Sequence, residues 1–167
     1  MKILIKNGKI VNNNSIYKSD VLIEDKFIKK ISPKINEEVD EIIDAKSLYL
    51  LPGVIDDQVH FREPGLTHKG NIFSESRAAV AGGITSFFEM PNTNPNTTTI
   101  NELNKKFEIA KNNSLANYSF MFGGTNTNLE EILKNDLTQI PAVKLFLGSS
   151  TGNMLVDDLD SLEMQGS

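Results

Sequence analysis

The sequence predicts an α/β protein, and two observations carry that prediction. From residue 53 onward strand-like and helix-like segments alternate, whereas the residues before it hold only short β-type runs. Such alternation builds a parallel sheet with helices outside it, either doubly wound or closed into a barrel. The expected domains are therefore a small β unit over 1–52 and a βα array over 53–167.

The β unit is read from Met1-Asn7, Lys9-Val11, Asp20-Glu24, Phe27-Ile31, Val39-Ile43 and Leu48-Leu51, alternating or apolar runs broken by Asn-Gly, Asn-Asn and Ser-Pro turn signals. In the array, strands are predicted over Val54-Val59, Ile84-Met90, Tyr118-Phe122 and Val143-Leu147. Helices are predicted over Ile72-Ala81, Thr99-Asn112 and Leu129-Lys134. Ala81-Gly82-Gly83 ends the first helix where a C-terminal cap belongs. A last segment, Leu159 to Ser167, begins like a helix and breaks off.

Length and composition narrow the function classes. With 167 residues and a net charge of -5 carried by interspersed charges, the chain is about one domain's worth and has no basic run for bulk nucleic-acid binding. An anionic small molecule stays open as a ligand, because one well-placed arginine suffices. The absence of cysteine excludes disulfides and thiolate zinc sites, so a metal would need histidine, carboxylate or a modified side chain. It also fits a reducing cytoplasm. MKILIKNGKIVNNN is too interrupted for a signal peptide, and no stretch approaches the ~20 apolar residues of a membrane span.

The chemistry concentrates in Pro52-Gly53-Val54-Ile55-Asp56-Asp57-Gln58-Val59-His60-Phe61-Arg62-Glu63-Pro64-Gly65. Side chains alternate along a strand, which puts Asp56, Gln58, His60 and Arg62 on one face and leaves apolar residues to bury the strand. In a barrel, active sites gather at the C-terminal ends of strands, where His60, Arg62, Asn92 and Gly148 fall.

Three blocks in order, GVIDDQVHFREPGLTHKG, AGGITSFFEMPNTNP and VKLFLGSSTG, closely resemble dihydroorotase of the long bacterial class, within the amidohydrolase superfamily. The resemblance implies the N-terminal portion, about four βα units, of a metal-dependent TIM barrel, ~250 residues being typical of a whole one. It also implies that 1–52 is part of a β-sandwich that both chain ends form in the family. The implied reaction is the reversible cyclisation of N-carbamoyl-L-aspartate to L-dihydroorotate in de novo pyrimidine biosynthesis. One or two divalent ions, usually zinc, supply hydroxide near neutral pH and polarise the amide carbonyl.

The family pattern Asp-x-His-x-His implies that His60 ligates metal, while Gln58 replaces the first histidine with a neutral, poorer ligand. Asp56 is either an orienter of a ligand or a turn residue. Arg62 and Asn92 are the implied grip on the substrate's carboxylate, the arginine through its planar fork. His68 and Lys69 are read as loop residues. Lys144 sits in the apolar run Val143-Lys144-Leu145-Phe146-Leu147, where an unpaired ammonium is costly to bury. It is either carboxylated to bridge metals, as in many family members, or snorkels at an edge strand. Gly148-Ser149-Ser150-Thr151-Gly152 is a polar loop able to close over substrate.

The family's later metal histidines and its general-base aspartate have no counterpart here, so no catalytic residue is assigned and the chain alone is expected to be inactive. Metal is expected to bind the full-length protein through His60 and Lys144. A second reading is a silent homologue that partners another protein, such as a carbamoyltransferase, or its own copy. A third, a hydantoinase or dihydropyrimidinase, is disfavoured by Arg62-Glu63-Pro64-Gly65, since those substrates lack the ring carboxylate.

Overall fold

Isoleucine and valine are frequent in the first fifty residues, and such β-branched chains favour extended backbone. The computed structural model describes residues 1–136, 138–150 and 152–166, and the chain divides into units at Met1–Pro52 and Gly53–Ser167. In the first unit β1 (Lys2–Asn12), β2 (Ser15–Glu24), β3 (Phe27–Ser32), β4 (Glu41–Asp44) and β5 (Tyr49–Leu50) share one sheet. β1 pairs antiparallel with β2, β2 antiparallel with β3, and β4 and β5 each run parallel to β1.

Asn13 and Asn14, at φ 47° and 58°, join β1 to β2 in the left-handed backbone that a tight hairpin requires and asparagine tolerates. Leu4, Leu22 and Ile35 form the buried centre of this unit. A register shift between Ile5 and Gly8 takes the Asn7 N–H out of the ladder, and the buried Asp20 recovers it: Oδ1 accepts from Asn7 N and Oδ2 from Ile35 N, both at 3.0 Å. Only one sheet is present here among the described residues, without a second layer of the expected sandwich.

The second unit is built of parallel strands. β6 (Val54–Val59), β7 (Ile84–Glu89) and β8 (Asn117–Phe120) form a sheet in that order, and β9 (Phe122–Gly123) pairs with β10 (Val143–Lys144). α1 (Ile72–Ala81), α2 (Ile100–Asn113), α3 (Leu129–Leu133) and α4 (Leu159–Gly166) complete it. Side chains start the two longest helices: Asn71 accepts from Ser74 N at 2.8 Å, and Thr99 Oγ1 from Glu102 N at 3.3 Å. α1 stops at Gly82, and Gly83 follows at φ 91°, a conformation that favours glycine. Phe61, Ile72, Phe87, Leu103, Phe120 and Phe122 are buried at the centre of the core, with the Phe61 and Phe87 rings 4.5 Å apart.

Three expectations change. The strand before His60 is not buried: Val54 is 49% and Ile55 60% exposed, because among the described residues β6 has a neighbour, β7, on one side only. The strand predicted over Tyr118-Phe122 is interrupted at Met121, where pairing passes from β7 to β10. That over Val143-Leu147 pairs for only two residues before an isolated bridge from Phe146 to Leu155. No helix among the described residues is long and apolar enough to cross a membrane.

Two substitutions test these cores. Asp20→Ala orphans the buried Ile35 N–H and the partly buried Asn7 N–H and is expected to cost about 1–3 kcal/mol of stability by denaturant titration. Phe87→Ala is expected to cost about 3–5 kcal/mol by the same measurement.

Candidate functional site

Parallel pairing brings the C-terminal ends of β6 and β7 side by side, so the residues that follow them face a common space. His60 and Arg62 follow β6, Asn92 follows β7, and Phe146, Ser149 and Ser150 follow β10. These six side chains line an open cleft of about 530 Å³. Two of the expected grip residues, Arg62 and Asn92, and one expected metal ligand, His60, therefore share it.

Asn92 organises the cleft. Its Nδ2 donates to Ser150 Oγ at 3.2 Å, which leaves Oδ1 to accept from His60 Nδ1 at 2.9 Å. That bond puts the proton on Nδ1 and leaves the lone pair on Nε2. Partial burial, followed by the positive charge of Arg62, holds the His60 pKa below its ordinary value against the opposing Asn92 bond.

Arg62 adopts φ 71°, unusual for a residue with a side chain, and its N–H donates to Glu89 Oε1 at 3.0 Å. Among the described residues, its buried Nη1 has no hydrogen-bond partner. The loop carrying it is fixed to the loop carrying Asn92. Asn94 N donates to Pro64 O at 3.1 Å, and Gly65, at φ 82°, lies so close that an added Cβ would overlap the Asn94 carbonyl oxygen. Glu63 Oε2 accepts from Ile72 N at 2.8 Å and ties the same loop to the start of α1.

Glu89 and Lys106 were not anticipated as part of this arrangement. Glu89 Oε2 pairs with Lys106 Nζ at 2.7 Å, both residues are 0% exposed, and the ammonium also donates to Met90 O at 3.2 Å. It lies 4.9 Å from the centre of the Phe120 ring. Burial pushes the Glu89 pKa up and the Lys106 pKa down, each opposed by the attraction of the other. The available signal was a glutamate inside the apolar run Phe87-Phe88-Glu89-Met90, the same kind of signal that singled out Lys144.

Gln58 and Lys144 do meet, outside the cleft lining. Lys144 Nζ donates to Gln58 Oε1 at 3.4 Å and sits 5.5 Å from the centre of the Phe146 ring. β10 is short and Lys144 only half-buried, so the ammonium has a partner without modification. Asp56 Oδ1 accepts from Gln58 N at 3.1 Å, a turn-type bond within its own strand rather than an orienting bond to His60. His68 and Lys69 are exposed loop residues away from the cleft. In the 148–152 loop, Ser149 and Ser150 line the cleft, and Thr151 lies outside the described residues.

As a metal site these donors do not fit. Among the described residues no three histidine, aspartate or glutamate side chains come together. One imidazole, one neutral amide oxygen and one ammonium fall short of the three or four ligands zinc takes from a protein.

No family model matches the chain. A dihydroorotase from Methanosarcina mazei is 37% identical over 158 residues, which is 93% of this chain and 34% of that protein. One from Pediococcus pentosaceus is 46% identical over 95 residues, 57% of this chain and 22% of that protein. The chain thus spans about a third or less of the curated relatives it matches. Among solved structures, an L-hydantoinase (dihydropyrimidinase) from Arthrobacter aurescens shares the mixed α/β fold with a TM-score of 0.91 and 29% identity, over 97% of this chain and 37% of that one.

Because Gly65 sets the approach of the two loops, Gly65→Ala is expected to cost more than about 1 kcal/mol. It should also shift the His60 and Asn92 side-chain NMR signals, which report the same junction.

Proposed function

With the chain dihydroorotase-like across the part of those proteins that it spans, we propose that it supplies the substrate-carboxylate grip of an enzyme interconverting N-carbamoyl-L-aspartate and L-dihydroorotate. The supporting observation is the buried Nη1 of Arg62, which lacks a partner among the described residues. A buried donor in that state is unfavourable, and a carboxylate, with its several lone pairs, relieves it through charge-assisted bonds. Asn92 stands in the same cleft with a side-chain amide that can turn from Ser150 to the ligand.

In the ring-closing direction the carbamoyl nitrogen attacks the side-chain carboxyl carbon, and water leaves. In the reverse direction water opens that amide bond. The carboxylate held by Arg62 is the one that does not react, so its binding orients the reacting groups without taking part in bond exchange. A zinc ion of the kind the family resemblance implies would supply hydroxide and polarise the carbonyl. The donors here do not fit it, and no step is assigned to it. Among the described residues the cleft lining holds no carboxylate to act as general base, so we infer that this chain alone binds but does not turn over. In the same reading the βα units are the first part of a (β/α)8 barrel, the first unit is part of a sandwich, and the setting is the cytoplasm.

A specific observation favours a second reading, a catalytically silent homologue. Lys144 is engaged by Gln58, the residue that stands where the family pattern has a metal histidine. Stoichiometric zinc retained by this chain after dialysis would overturn that second reading.

Calorimetric titration with L-dihydroorotate tests the main one. Arg62→Met should weaken binding about 10- to 100-fold, as expected for loss of charge-assisted hydrogen bonds. Hydantoin, which lacks the carboxylate, should bind the parent chain and Arg62→Met alike. Equal affinity of the parent chain for both compounds would instead favour a hydantoinase-type substrate.

A further inference from the structure

We propose that the buried Glu89–Lys106 pair positions the anion grip, fixing Arg62 and the loop that bears Asn92 through a single ammonium. The inference rests on the reading of Arg62 and Asn92 as carboxylate-binding residues. Neither Glu89 nor Lys106 lines the cleft, so they act through other residues.

Two fully buried charges are a poor route to stability. The desolvation cost of each is large, and well-packed apolar residues of similar volume commonly serve as well or better. What an apolar pair cannot supply is directed hydrogen bonding. Glu89 uses one carboxylate oxygen for Lys106 and the other for the Arg62 N–H, and so holds Arg62 in its left-handed conformation. A residue with a side chain is disfavoured there and persists only when its surroundings fix it.

Lys106 acts in a second direction. Its bond to Met90 O fixes the main chain at the start of Met90-Pro91-Asn92, and Asn92 in turn holds His60. Helix α2 carries Lys106 and packs against the strands by Leu103 and Ala110, so a rigid element backs the ammonium. The carboxylate and the ammonium therefore set the spacing of Arg62 and Asn92 from behind the cleft.

Two double variants of this chain separate positioning from packing. Glu89→Met with Lys106→Met removes both charges and every directed bond at similar volume. Glu89→Gln with Lys106→Met removes the charges but keeps an acceptor for the Arg62 N–H. Thermal unfolding, hydrogen exchange at the Arg62 amide by NMR, and L-dihydroorotate affinity are read on each. The Met/Met chain is expected to melt at or above the parent temperature, to exchange the Arg62 amide at least about 10-fold faster, and to bind about 10-fold more weakly. The Gln/Met chain should keep Arg62 exchange within about threefold of the parent, a rescue that a packing role does not produce.

Unchanged Arg62 exchange and affinity in a folded Met/Met chain would overturn the proposal. If Met/Met does not fold, Gln/Met decides: protection kept supports the proposal, and protection lost with the fold intact overturns it. If the parent chain binds no dihydroorotate, the functional reading fails, while the exchange measurements still decide whether Glu89 and Lys106 position Arg62.

Discussion

Parallel pairing of β6 with β7 is the constraint on which the rest of the second unit depends. Parallel strands end at the same edge, so whatever follows each strand is delivered to one place regardless of its distance in sequence. His60 and Asn92, 32 residues apart, meet for that reason, and Ser150, 58 residues from Asn92, arrives from beyond β10, which pairs with β9 in a separate sheet. The loops themselves are then locked by the main-chain bond from Asn94 N–H to Pro64 O and by the Glu63 carboxylate, which accepts from Ile72 N at the start of α1.

Much of this was legible in the sequence because it is written in local chemistry. The helices over Ile72–Ala81 and Ile100–Asn113 carry their own start signals in Asn71 and Thr99, and Gly82-Gly83 marks an end. His60, Arg62 and Asn92 stand out because polar residues of these types right after apolar strands need a reason to be there. What failed was everything that depends on neighbours. Alternation along Val54 to Phe61 presumes an unbroken strand, whereas β6 shifts register against β7 between Val54 and Ile55 and again between Asp56 and Val59; nor does it tell how many strands flank it, and so the exposure of Val54 and Ile55 was unreadable. The break at Met121 falls where pairing passes from β7, which Phe120 still meets, to β10, which Phe122 meets, a change of partner that no local pattern announces.

Lys144 and Lys106 show the same limit from opposite sides. The first drew attention because it sits in an apolar run, and it proves to be half-buried with Gln58 beside it. The second lies in the polar-looking helix sequence Asn104-Lys105-Lys106-Phe107, where a lysine excites no notice, and it is the one that is fully enclosed. Helical periodicity places Lys106 in line with Leu103 and Ala110, three before and four after it, on the face that packs inward. That stripe was the readable sign, and it outweighs the surrounding polarity.

The enclosure of Lys106 with Glu89 also has a genetic consequence. Replacing either residue alone strands its partner as an uncompensated buried charge, at a cost of about 3–5 kcal/mol. Against a typical domain stability of about 5–15 kcal/mol, many such single steps pass through a chain that barely folds. Lineages can therefore leave this pair mainly by exchanging both residues nearly together. Positions 89 and 106 should drift as one character, while the exposed ion pairs, such as Lys105 with Glu102 on the same helix, turn over one residue at a time.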